Sequence, residues 1–82
     1  MIEFPPSPRT VVDVRTLPPG TCRERIEAAF DALPDGEALD LFVPHDPSPL
    51  QARFAGLRPG RSTWTYLVAG PEVWHVRVAK SA

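Results

Sequence analysis

Breaker residues divide this chain into short pieces, and that punctuation constrains its fold more than any other feature. Clusters stand at Leu17-Pro18-Pro19-Gly20, Pro34-Asp35-Gly36, Pro44 to Pro49, Pro59-Gly60 and Gly70-Pro71. Proline fixes φ and lacks an amide donor, and glycine opens the left-handed region, so each cluster ends one element and turns the chain. Only short strands and helices of a few turns fit between them.

The opening "MIEFPPSP" has three prolines in eight positions, a composition that favours an extended and flexible lead-in over residues 1–9. The folded domain is expected over residues 10–80. Thr10 to Arg15, rich in β-branched residues, reads as a first strand. From Thr21 the period changes: Cys22, Ile26, Ala29, Phe30 and Leu33 form one helical stripe, with charged residues on the other side. Thr21 and Glu24 have the spacing of a capping box. In "EALDLFV", Leu39, Leu41 and Val43 alternate with Asp40 and Phe42, the pattern of a strand with one face on a core. Ser48 is placed to cap a second helix with Pro49 at its first position, and Leu50, Phe54 and Leu57 form its apolar side. The remainder is two alternating strands joined through Gly70-Pro71.

The order β-α-β-α-β-β implies an α+β fold, a two-layer α/β sandwich. A four-stranded mixed sheet carries two helices on one face, with the first two strands parallel through a right-handed crossover. If the hairpin pairs Val68 with Val73, Tyr66 faces His75 and Trp64 faces Arg77. Those four side chains then lie on the open sheet face, with Thr65, Leu67, Trp74, Val76 and Val78 against the helices.

At 82 residues one domain fits, small enough that folding buries only about 60% of the chain's surface. Nine basic residues against ten acidic ones leave no basic field for nucleic acid. A single cysteine can form no internal disulfide and argues for a reducing cytoplasm. No apolar run is long enough to span a bilayer, so no membrane association is expected.

The segments Asp13-Val14-Arg15 with Leu17-Pro18-Pro19, His45-Asp46-Pro47-Ser48-Pro49-Leu50, Trp64-Thr65-Tyr66 and Gly70-Pro71-Glu72-Val73-Trp74 carry a resemblance. They are similar to the bacterial domain-of-unknown-function family 2249, grouped with the TusA and SirA sulfur-carrier-like fold. The likeness runs from about Val11 to Ala79 and implies the same β-α-β-α-β-β sandwich. It also implies a carrier cysteine at the position of Pro19, where a helix N-terminus would lower a thiol pKa; this chain has none there. A histidine implied near position 23 is replaced by Arg23, which weakens a two-histidine metal or haem site.

The loops after two parallel strands open on one sheet edge. Arg15 and Arg23 are therefore expected beside His45, Asp46 and Ser48, where two helix N-termini add positive potential. Two readings stand: a ligand edge in which His45 is donor, ligand or proton carrier, or a turn in which Asp46 or Ser48 caps the second helix. Cys22 is either a small core residue or a reactive thiol favoured by Arg23 and Arg25. Trp64, Tyr66, His75 and Arg77 form either a self-satisfied surface, with Arg77 stacked on Trp64, or a face for a protein partner. His45 with Asp46 offers two adjacent metal ligands, where zinc sites take three or four. His45 thus remains the one candidate for a metal or haem contact, and no catalytic constellation emerges.

The function expected is a non-enzymatic binding or adaptor module for a protein partner or small ligand. The alternatives are a sulfur relay through Cys22 and a metal- or haem-binding accessory of redox metabolism through His45.

Overall fold

The computed structural model describes residues 10–18 and 20–81, so the lead-in over residues 1–9 and Pro19 lie outside the described residues. Along the chain come β1 (Thr10–Asp13), α1 (Cys22–Asp31), β2 (Ala38–Val43), α2 (Ser48–Leu57), β3 (Ser62–Ala69) and β4 (Trp74–Lys80). The sheet order is β1-β2-β4-β3, with β1 parallel to β2 and the other pairs antiparallel. This is the α+β fold expected, with a four-stranded mixed sheet and both helices on one face. β4 takes a central place because Val76 and Val78 are both fully buried.

Alternation decides which side chains reach the helices. Val12, Leu39, Leu41, Val43, Val76 and Val78 come from the sheet, and Ile26, Phe30, Leu33 and Phe54 close the layer from above. Phe54 meets Phe30 and Trp64 edge-on, with centroids 5.1 and 5.4 Å apart, a favourable geometry for ring quadrupoles. The stripe expected on α1 is therefore the one it buries. On α2, Phe54 is buried but Leu57 is 56% exposed. Arg58 instead covers the end of that face, its guanidinium 5.0 Å from the Phe54 ring centre.

The hairpin departs from the expected register. Ala69 pairs with Trp74 and Val68 with His75, then the ladder slips at Leu67, so that Tyr66 pairs with Val76 and Trp64 with Val78. One extra residue in a strand turns every residue beyond it to the other face. Trp64 and Tyr66 thus pack towards α2, where the Tyr66 hydroxyl donates to Gln51 Oε1 at 2.8 Å, and Leu67 is exposed. The expected four-residue face does not assemble: His75 and Arg77 stay on the open side without the two aromatics. Trp64 Nε1 donates to Ser62 Oγ, and Arg77 grips Asp40 rather than Trp64.

The caps also differ in detail. Thr21 precedes α1, but its hydroxyl donates to the Pro18 carbonyl at 2.8 Å and caps no helical amide. Ser48 is already helical and Pro49 second in α2; Asp46, two residues before Ser48, accepts the Ser48 N–H at 2.9 Å and the Ser48 hydroxyl. At the far end of α1, Lys80 Nζ donates to the carbonyls of Phe30, Asp31 and Leu33 at 3.3, 3.1 and 2.8 Å. An ammonium there satisfies carbonyls the helix leaves open and matches the sign of its dipole.

Candidate functional site

The first two strands end side by side, and the loops that follow lead into α1 and α2. Between the two helix starts lies a groove of about 300 Å³. Buried Val14, Ile26 and Val43 form its floor with the half-buried Cys22 and Leu50, while exposed Arg23, His45, Asp46 and Arg53 stand around its mouth. Pro47 and Pro49 complete the wall along α2.

Of the expected edge, Arg23, His45 and Asp46 do meet here. Arg15 does not: β1 stops at Asp13, whose carboxylate takes the Arg15 amide at 3.1 Å and its guanidinium at 2.9 and 2.7 Å. That fork then lies 5.5 Å from the Phe42 ring centre, on the open face. The Arg15 contact holds the Asp13 carboxyl down to about 2. Ser48 is spent on Asp46, and its hydrogen bonds lower the Asp46 pKa and keep that carboxylate charged.

Cys22 is neither sealed in the core nor free on the surface. It packs against the core and lines the groove, with Sγ 3.8 Å from the Val14 carbonyl and 4.0 Å from that of Pro18. His45, exposed at the mouth, makes no hydrogen bond to any described residue.

Arg53 joins the site from α2. Its Nε donates to Glu27 Oε2 at 3.0 Å, and Arg23 Nε reaches the same oxygen at 3.7 Å. Arg58 approaches Glu27 Oε1 at 3.5 Å and chelates Asp31 with two bonds of 2.8 Å. Three guanidinium groups thus face two carboxylates along the seam between the helices. The spacing of Arg23 and Glu27 on one helix foreshadows half of this; nothing local to Arg53 foreshadows the rest.

The open face holds a second polar cluster. Asp40, only 7% exposed, accepts from Arg77 Nε at 2.8 Å and Nη2 at 3.3 Å, and His75 Nε2 lies 2.9 Å from it. The Arg77 bonds lower the Asp40 pKa against the opposing effect of burial. His75 also stacks on Phe42, with centroids 4.2 Å apart. Among the described residues no three or more His, Cys, Asp or Glu side chains converge as a metal site, and no helix is long and apolar enough to cross a membrane.

No curated protein and no solved structure matches the chain significantly. A family model does: the one described as "Uncharacterized conserved protein (DUF2249)" matches residues 11–80, and the chain belongs to that family.

Proposed function

We propose that this protein is a non-enzymatic binding or adaptor module whose binding site is the groove between the starts of α1 and α2. The observation that carries the reading is the make-up of that groove, an apolar floor inside a mouth of four polar side chains. Pockets of this composition hold ligands by apolar contact and orient them with a few polar groups. The resemblance to TusA- and SirA-like sulfur carriers and a cytoplasmic setting belong to the same reading. They rest on the Leu17-Pro18-Pro19 and His45 segments and on the single cysteine.

The test is a backbone-amide NMR titration of the folded chain with a panel of neutral and charged organic fragments. Saturable shifts gathered at Cys22, Arg23, Val43, His45 and Leu50 are expected. Shifts confined to the open face of β3 and β4 would contradict the reading.

A second reading, sulfur relay, is favoured by the position of Cys22 on the groove. In that chemistry the Cys22 thiolate attacks the terminal sulfur of a donor cysteine persulfide. A new S–S bond forms at Cys22, and the donor leaves as a thiolate. Incubation with a cysteine desulfurase and cysteine should then add one sulfur atom to Cys22 by mass spectrometry; an unmodified Cys22 would end this reading. The donors do not favour a metal at His45, because among the described residues no third His, Cys, Asp or Glu converges on His45 and Asp46.

A further inference from the structure

We infer that the groove takes a small organic anion, an apolar body ending in a carboxylate, with Arg23 and Arg53 holding the charged end. The inference rests on the groove being the binding site and adds the chemical class of what binds there.

Size comes first. A cavity of about 300 Å³ lies at the bottom of the usual range for ligand pockets, about 300–1,000 Å³. It amounts to about ten water volumes of ~30 Å³ each, room for a ligand of on the order of ten heavy atoms. Buried Val14, Ile26 and Val43 offer such a ligand no hydrogen bond, so its body must be apolar.

Charge decides the rest. Arg53 spends only Nε on Glu27, and Arg23 approaches the same carboxylate oxygen only through Nε. Among the described residues the terminal nitrogens of both guanidinium groups make no hydrogen bond. Three guanidinium groups against Glu27 and Asp31 leave one positive charge along this seam, so Glu27 does not cancel both arginines at the mouth. A shared carboxylate holds the two guanidinium groups beside one another, and their free N–H donors match the two oxygens of a carboxylate. The competing charge is Asp46, which is fixed to Ser48 at the start of α2. Arg53 lies five residues further along α2 than Ser48, roughly 7–8 Å of helix rise. The anionic end therefore belongs at the arginines, with the apolar body over the floor.

Octanoate and 1-octanol test this, since they share a chain length and differ in charge. Each is titrated into the full chain and followed by backbone-amide NMR. Octanoate should shift the amides of Arg23, Val43 and Leu50 saturably and bind about tenfold or more tightly than octanol. Arg53→Gln should bring octanoate down to the octanol level without changing octanol, and Arg53→Lys should fall between. Should Arg53→Gln lose its dispersed spectrum, Arg23→Gln serves instead, that side chain being 60% exposed.

Equal affinity for octanoate and octanol at the groove would overturn the anion and leave the groove standing. Binding of a peptide through its C-terminal carboxylate, with no binding of octanoate, would overturn the small-molecule occupant. Failure of these two ligands and of every fragment in the panel to shift groove amides would overturn both the inference and the reading beneath it.

Discussion

Asp40 interrupts an otherwise apolar strand, and the structure gives the reason. Arg77, directly across the sheet, and His75, two residues away on β4, converge on its carboxylate, so a charge is held almost out of water. Removing that charge while keeping the shape should weaken the fold. Asp40→Asn is expected to cost about 1–2 kcal/mol, the scale of hydrogen bonds to charged groups discounted for a partly exposed arginine. Urea unfolding measures it, and an unchanged midpoint would count against the cluster as a source of stability. Lys80 acts at one residue too: Lys80→Ala removes the ammonium from three carbonyls, of which only that of Phe30 keeps a backbone donor, the Leu33 N–H, and should cost about 1–2 kcal/mol by the same measurement. Neither role was legible in the sequence. An isolated aspartate in a strand marks an exception but not its partner, and Lys80 reaches a helix almost fifty positions earlier in the chain. Arg53 was hidden for the same reason, since its partner Glu27 lies on the other helix.

At the scale of elements the sequence was most informative where period and punctuation agreed. The α1 stripe, the alternation in β2 and the stop at Pro34-Asp35-Gly36 are local facts, and the fold keeps all three. The β3 register is different, because a bulge leaves no mark in alternation alone. In "STWTYLVA" both faces contain apolar residues, so either face could be set inward; the contacts of Trp64 with Phe54 and Tyr66 with Gln51 go with the observed one. Two substitutions separate the registers. Leu67→Ser should change stability by no more than about 0.5 kcal/mol, as expected of an exposed site. Trp64→Ala should cost about 3 kcal/mol. Thermal and urea unfolding of both variants give the comparison, and the regular register predicts the reverse order. Gly70 fixes the neighbouring turn: it has φ of 67°, and a Cβ built there would lie 2.6 Å from the Trp74 ring. Gly70→Ala is accordingly expected to destabilise the hairpin.

For the whole molecule, acid is the most informative perturbation. The carboxyls of Asp13, Asp31, Asp40 and Asp46 all titrate below their ordinary 3.8, held down chiefly by Arg15, Arg58, Arg77 and Ser48 respectively. A carboxyl with a lower pKa when folded stabilises the fold fully above its unfolded pKa and loses that effect as the pH falls through the folded value. Stability should thus hold down to about pH 4 and then decline, towards pH 2 in the case of Asp13. Salt should blunt the part due to the exposed pairs. Urea midpoints at stepped pH and two salt concentrations test this, and a flat profile from pH 5 to pH 2.5 would contradict the assignment.

The arrangement of the two histidines allows binding at the groove to be tested in one experiment. His45 stands at the groove mouth, whereas His75 stacks on Phe42 across the open face. They are the only two histidines in the chain, so imidazole-nitrogen NMR during an octanoate titration reports both faces at once. Saturable movement of the His45 signals with His75 unmoved is the predicted result. Movement of His75 with His45 still would place binding on the open sheet and contradict binding in the groove.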